Sequence, residues 1–448
     1  MKDKEISRRA FLSGTLGAGA LLSQACHMQI VPRRVLGGLG FTPPSEKLNI
    51  ACIGVGGRGK DDLAGVSSEN IVALCDVDEK RAGESFKKYP RVPKYKDFRE
   101  MLEKEEKNID AVVIATPDHI HAPAAMMAIK MKKHVFCEKP LTHSIHEAVE
   151  LRKAAREYKV ATQMGIQGHA TEGARLLWEW IRAGAIGPVR EAHLWTDRPI
   201  WPQALDRPKD KSPVPKTLDW DLWLGPAPWR PYHPAYLPFN WRGWWDFGCG
   251  ALGDMGCHIM DAAFWALDLG HPLLVRVQSS AVNQETAPKW SILTYEFMAR
   301  GQMPPVKLVW YDGGQMPPRP AELEKDRKMP DNGQLFIGDE GKILAETYGG
   351  SPRLIPEAKM KEFMQSPPEK KLRRVKSHYA EWIEACKGGR PAGANFDYAG
   401  PLTEVVLLGN VAIRAGRMIR WSGKQTKVLN CEEANRWLQR EYREGWTL

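Results

Sequence analysis

The sequence predicts an α/β protein with two successive sheets. The first is parallel and doubly wound, and the second is open and mostly antiparallel. Three features carry this. A short apolar strand starting at Lys47 runs straight into a glycine-rich turn. Apolar strands and helical stretches then alternate up to about residue 165, the pattern of a parallel sheet with crossover helices. Beyond residue 274 apolar and polar residues alternate with no long helix between the runs, as in an antiparallel sheet with one covered face.

In chain order, the first strand ends in Gly54-Val55-Gly56-Gly57-Arg58-Gly59 and a polar helical stretch follows. That G-x-G-x-x-G spacing allows a tight turn and lets the backbone approach a pyrophosphate at a helix N-terminus, so Gly54, Gly56, Gly57, Arg58 and Gly59 are candidate cofactor-binding residues. A second strand, Ile71–Cys75, ends in Asp76, where a carboxylate would hold ribose hydroxyls and repel a 2′-phosphate. NAD is therefore expected over NADP. The next strand, Ile109–Ala115, ends in Thr116-Pro117-Asp118-His119-Ile120-His121, and a helix follows through Ala128. His134–Cys137 ends in Glu138-Lys139-Pro140, a helix covers Ile145–Tyr158, and Val160–Met164 closes the alternation. Ligands in such sheets bind beyond the carboxyl ends of the strands, where Gly54, Asp76, Thr116, Pro117, Glu138, Lys139 and Gln167 fall.

In the back half, a helix over Glu172–Ala183 and a glycine turn lead into strand Val189–Trp195. Eight of the 17 Trp and ten Pro lie between Trp195 and Trp245. This insertion (195–245) is either a stacking platform for sugar rings, with Trp245 as a candidate, or an aromatic substitute for regular core or a subunit interface. Next comes Gly253-Asp254-Met255-Gly256-Cys257-His258, in which Asp254 and His258 are spaced i, i+4 and share one helix face. Strands are expected over Leu274–Val282, Ser291–Phe297, Val306–Tyr311, Leu335–Ile337 and Lys342–Glu346, and helices over Val375–Cys386 and Tyr398–Gly416.

The glycine turn, Ala115-Thr116-Pro117 through His121, Glu138-Lys139-Pro140 and Gly253–Asp261 occur in an order that resembles the Gfo/Idh/MocA family, the glucose–fructose oxidoreductase and inositol dehydrogenase relatives. The resemblance implies a Rossmann NAD-binding domain (47–165) and a C-terminal α/β domain for substrate and oligomerisation (166–448). It further implies a tightly bound nicotinamide cofactor, a carbohydrate or polyol substrate and a homo-oligomer. Lys139, Asp254 and His258 are then the catalytic set. His258 is the base for a hydroxyl proton, Asp254 orients it, and Lys139 holds the substrate oxygen. His121 edges the nicotinamide or caps a helix, and Gln167 and His169 face substrate or form a plain loop. His119 and His121 lack a third ligand at short spacing, so no metal is expected.

The first residues carry an address. Arg8-Arg9 ahead of Phe11-Leu12 and a short Gly/Ala-rich apolar run match a twin-arginine (Tat) export signal over residues 1–30, followed by a Pro/Gly linker over 31–46. Cys26 follows a partial lipoprotein box, which leaves a lipid anchor open; an integral membrane span is not expected. The net charge of +10 falls to about +8 without residues 1–25, and what remains is scattered, so nucleic acid is not an expected partner. The eight cysteines form no Cys-x-x-Cys pair and suit a protein folded in a reducing compartment before export. The expectation is a periplasmic NAD-dependent oxidoreductase acting on a secondary hydroxyl of a sugar, glycoside or polyol, with C3 the first position to test. The alternatives are an NAD-dependent glycoside hydrolase or lyase working through a transient keto-sugar, and a non-catalytic exported sugar-binding protein. Relatives of the hydrolase type commonly depart from Glu-Lys-Pro.

Overall fold

The computed structural model describes residues 43–448. The expected export signal, most of the expected linker and Cys26 lie outside them.

Six parallel strands form the first sheet in the order β3-β2-β1-β4-β5-β6: β1 (Asn49–Ile53), β2 (Asn70–Cys75), β3 (Lys94–Tyr95), β4 (Ala111–Ile114), β5 (His134–Glu138) and β6 (Thr162–Gly165). Helices α1 (Arg58–Gly65), α2 (Glu79–Lys88), α3 (Phe98–Lys104), α4 (Asp118–Lys130) and α5 (Ile145–Tyr158) make the crossovers. Strand β4 reads Ala-Val-Val-Ile and is buried throughout, as a central parallel strand covered on both faces must be. Helix α5 begins at a capping box, with Ser144 accepting from the Glu147 N–H and Glu147 accepting from the Ser144 N–H. The strand order reverses between β1 and β4, which opens a crevice at their carboxyl ends.

Helix α6 (Glu172–Arg182) leads into the second sheet, whose order is β13-β12-β11-β7-β10-β9-β8-β14-β15. Its strands are β7 (Val189–Trp195), β8 (Leu274–Ser279), β9 (Ser291–Phe297), β10 (Val306–Tyr311), β11 (Gly333–Gly338), β12 (Lys342–Glu346), β13 (Arg353–Ile355), β14 (Ile419–Ser422) and β15 (Lys427–Val428). All pairings are antiparallel except β7 with β10. Strand β9 alternates buried and half-buried positions, the one-sided pattern its sequence predicts. The remaining helices are α7 (Trp220–Leu224), α8 (Gly250–Ala266), α9 (Glu357–Phe363), α10 (His378–Cys386) and α11 (Phe396–Ala415). Helices α8 and α11 are buried along most of their length and share one apolar core with the second sheet.

Chain order and packing part company at α10. Its Trp382, fully buried, packs with Ile50, Val113 and Phe136 of the first sheet, although it lies more than two hundred residues beyond them. Burying one such indole contributes up to about 3 kcal/mol, so the back of the chain helps hold the front sheet together. The tryptophan-rich insertion is chiefly core. Trp220, Trp223, Trp241 and Trp244 pack with Tyr236 and Phe247 in one cluster, and only Trp229 is largely exposed. Among the described residues no helix is long and apolar enough to cross a membrane.

Gly59 marks where helix and strand touch. A Cβ there would sit 1.7 Å from the Gly54 carbonyl oxygen. In a free helix Gly→Ala is stabilising by up to about 1 kcal/mol. Here Gly59→Ala should destabilise by more than about 2 kcal/mol, read as a lower urea midpoint. An unchanged or higher midpoint would show that the turn yields.

Candidate active site

A cleft of about 580 Å³ runs along the carboxyl ends of the first sheet, between the glycine turn and the N-terminal half of α8. At the turn, Gly54 has φ +76°, and a Cβ there would lie 2.7 Å from the Ala115 carbonyl oxygen. Helix α1 begins after Gly57 with no capping side chain, so its N-terminus is open toward the cleft. Asp76 lines the cleft, and its carboxylate first holds the turn itself. Oδ2 accepts from the Val55 and Gly56 N–H groups at 2.9 and 3.1 Å, and Oδ1 accepts from Asp78 N–H at 3.0 Å. Burial pushes its pKa up, and those three N–H groups pull it back. Oδ2 is saturated by its two donors, and Oδ1, with one, keeps a lone pair for a ribose hydroxyl. The buried Thr116 hydroxyl meets no hydrogen-bond partner, a free polar group on the cleft wall. A glycine cradle, an open helix end and an unpaired hydroxyl on one wall fit a dinucleotide.

At the far end, Lys139 follows β5 and Asp254 faces it from α8. Lys139 Nζ donates to the Asp254 carbonyl at 2.7 Å and to Oδ1 at 2.9 Å, and Arg242 Nε donates to the same Oδ1 at 3.0 Å. Burial alone would raise the Asp254 pKa, but Lys139 and Arg242 hold it well below the usual carboxylate range. The Arg242 guanidinium lies 4.2 Å from the Phe239 ring and 4.4 Å from that of Trp241. His258, one turn beyond Asp254, lies edge-on to Tyr348 with ring centroids 5.0 Å apart, and its Nδ1 has no hydrogen-bond partner. Desolvation first, and then the Lys139 charge, keeps it neutral well below its ordinary pKa. The expected orientation of His258 by Asp254 is not what the structure has: the carboxylate is committed to Lys139 and Arg242.

Glu138 turns toward the glycine turn and accepts from Arg58 Nε at 3.1 Å. Arg58 Nη2 donates to the Tyr379 hydroxyl at 3.0 Å, and that hydroxyl donates to Asp62 Oδ1 at 2.6 Å. Gln167 lines the cleft, whereas His169 does not. The 3₁₀ turn Gln167–Ala170 sends residues i and i+2 to different sides, and His169 instead bonds Asp261 Oδ1 at 2.9 Å and stacks on Trp265. Trp245 is buried away from the cleft beneath Arg414, so the tryptophans on the wall are Trp223, Trp241 and Trp446. His121 also lies behind the wall. Its ring nitrogens face the Pro140 and Thr116 carbonyls at 2.8 and 2.9 Å, and burial drives its pKa down to about 4, so the neutral ring donates its single N–H to one of the two carbonyls. His119 is held by the Phe247 and Trp223 carbonyls, and among the described residues no His/Cys/Asp/Glu group could hold a metal.

Two cleft residues escaped the sequence reading. Arg242 lies in Asn240-Trp241-Arg242-Gly243-Trp244, where the aromatics drew attention and the lone cation was the usable signal. Asp118 sits inside the Thr-Pro-x-x-x-His segment itself. Its Oδ2 accepts from the N–H of Cys249, the N-cap of α8, at 3.1 Å.

Three comparisons place these observations. A family profile described as an oxidoreductase family, NAD-binding Rossmann fold, matches residues 48–166, and its companion, the C-terminal alpha/beta domain, matches 201–316; together they span over half of the chain. The 2,7-anhydro-N-acetylneuraminate hydratase of Escherichia coli K12 is 35% identical over 101 residues, 22% of this chain and 27% of that protein. The inositol 2-dehydrogenase of Salmonella paratyphi B is 30% identical over 152 residues, 33% of this chain and 45% of that protein. The chain thus spans less than half the length of these curated relatives. The crystal structure of the WlbA dehydrogenase from Bordetella pertussis, in complex with NADH and UDP-GlcNAcA, superposes with a TM-score of 0.58 at 16% identity, covering 84% of this chain and 99% of that one. That likeness establishes the shared fold.

Burial, partly offset by Lys139 and Arg242, raises the Asp118 pKa to about 7. The carboxyl is therefore protonated below neutrality and ionises as pH rises through about 7. A rate profile should show an inflection there that is missing from Asp118→Asn. The same inflection in the variant would assign it to another group.

Proposed function

The chain belongs to the Gfo/Idh/MocA oxidoreductase family, and we propose that it is an NAD-dependent dehydrogenase of a sugar, glycoside or polyol, oxidising a secondary hydroxyl with C3 the first position to test. One observation carries this. The Lys139 ammonium, fixed by Asp254, and the neutral, unpartnered imidazole of His258 face one end of a cleft whose other end is a glycine cradle. NAD would be held by the turn at Gly54–Gly57, by Asp76 and by Thr116, and when bound it supplies the hydride acceptor.

The remaining work falls to the chain. Two of the three Lys139 N–H bonds go to Asp254, leaving one for the substrate oxygen. That ammonium stabilises negative charge as the O–H bond breaks. His258 takes the hydroxyl proton, since burial keeps it unprotonated and thus able to accept. Arg242 restrains Asp254, and the aromatic wall of Phe239 and Trp241 suits the apolar face of a sugar ring. A second reading, elimination or hydrolysis through a transient keto-sugar with no net redox change, is favoured by the hydratase among the relatives. The same proposal takes the chain as a periplasmic homo-oligomer exported by the Tat route.

Two experiments test this. Lys139→Ala and His258→Ala should each lower kcat by ~10²–10⁴-fold while nucleotide still binds, measured by reduced-nicotinamide absorbance over a panel of sugars and glycosides with aglycone release followed in parallel. Near-normal turnover in either variant would remove that residue from the chemistry, and cleavage without net reduction would select the second reading. For export, Arg8→Lys with Arg9→Lys should leave the protein in the cytoplasmic fraction. Undiminished periplasmic protein would exclude the Tat assignment.

A further inference from the structure

Beyond Asp76 the cleft continues past Val77, Lys96, Asp97 and Phe98 of the front half, and it is closed on the other side by Leu218, Leu222, Trp223 and Trp446. In a dinucleotide fold the ribose carboxylate at the end of β2 marks the adenosine side. The residues opposite come from two segments far apart in sequence, both fastened across the cleft.

The first segment is part of the insertion. Leu218 forms a β-bridge with Asp78, Asp219 N–H donates to the Val77 carbonyl at 2.9 Å, and Glu79 N–H donates to the Thr217 carbonyl at 3.0 Å. The loop that follows the ribose carboxylate is therefore zipped to the insertion. The second segment is 440–448. Arg443 donates from its backbone N–H to Pro226, from Nε to Gly225 and from Nη2 to Asp221, at 3.0, 3.0 and 2.9 Å, and it pairs with the Asp221 carboxylate. From the front half, Arg99 Nη1 donates to the Gly445 carbonyl at 3.1 Å, and its guanidinium lies 4.2 Å from the Trp446 ring. Phe98 meets the same indole with centroids 5.9 Å apart. Arg440 Nε and the Tyr442 hydroxyl both donate to Glu147 Oε1, at 2.9 and 2.6 Å. Trp446 is only 9% exposed, yet it lines the cleft.

We propose that residues 217–223 and 440–448 form a cover over the adenosine end of the cleft that keeps NAD resident through turnover, with Leu218, Leu222 and Trp446 as the side chains that hold its adenosine portion. This rests on the reading of the cleft as an NAD site. Release of the nucleotide on that side requires parting the Leu218 bridge or lifting Trp446 from between Arg99 and Phe98. Exchange with the surrounding solution is then slow compared with catalysis. For an enzyme working where no nicotinamide pool exists, that retention is a functional requirement.

The test uses the full chain loaded with NAD and freed of excess nucleotide on a desalting column. Exchange of bound for radiolabelled NAD is followed by filter retention, with no substrate present. The wild-type chain should keep its nucleotide through the column and exchange over hours, and Trp446→Ala and Arg443→Ala should exchange at least ~10-fold faster, the effect falling on the off-rate. Should Trp446→Ala fail to fold, as judged by its melting curve, Leu222→Ala tests the same cover. Wild-type exchange within seconds, or variants exchanging at the wild-type rate, would overturn the cover while leaving the dehydrogenase reading intact. Failure of the wild-type chain to bind NAD at all would instead defeat the reading on which both stand.

Discussion

The buried pair between Lys139 and Asp254 is the constraint around which the rest is arranged. It joins the end of β5 in the first sheet to α8 beneath the second, and each side chain is 13% exposed. Charges taken out of water this far are stabilising only when their geometry is good and their remaining hydrogen-bond capacity is used. Here the ammonium has two acceptors on one residue, and the carboxylate has two cations on one oxygen. Breaking such a pair from one side typically costs about 3–5 kcal/mol, because a lone charge stays buried. The pair therefore fixes how α8 meets the first sheet, and that placement brings His258 to the cleft.

The same demand shapes the insertion. Arg242 must reach Asp254, and its guanidinium is clamped between Phe239 and Trp241, which sit on a cluster of tryptophans and tyrosines with little regular structure. Large rigid aromatics bury much area per residue and so order an irregular chain where helices and strands are scarce. The insertion then serves two ends of one cleft. Trp241 and Arg242 stand at the catalytic end, and Leu218, Leu222 and Trp223 stand at the nucleotide end.

Strands β1, β2, β4, β5 and β6 and the cradle were legible because they depend on local rules, whereas the two-residue β3 and the order of the strands in the sheet were not. A tight turn with positive φ needs glycine at 54, and a central parallel strand must be apolar, as Ala111–Ile114 is. Short pieces such as β13, β14 and β15 were not legible, since partners distant in sequence supply their pairing; Ile419 meets Val275. Side-chain destinations were harder still. His169 and Gln167 are two residues apart, and only one reaches the cleft; neighbouring Trp244 and Trp245 fall in different clusters. Asp118 carried no separate signal because its altered titration arises from burial, partly offset by two cations on other segments.

Proton chemistry at the catalytic end follows from what each group is already doing. Asp254 is a poor acceptor, because two cations hold it ionised and its Oδ1 is saturated by both. Asp118 is protonated over the lower half of the neutral range and is tied to the start of α8. His121, though neutral, is shut behind the wall between two carbonyls. His258 alone among these is neutral, lines the cleft and carries a ring nitrogen with no partner. Burial, and then the Lys139 charge, keeps it neutral and makes an imidazolium there unfavourable. Proton acceptance is therefore tied to the appearance of negative charge on an oxygen held by Lys139, so deprotonation and charge stabilisation have to occur together.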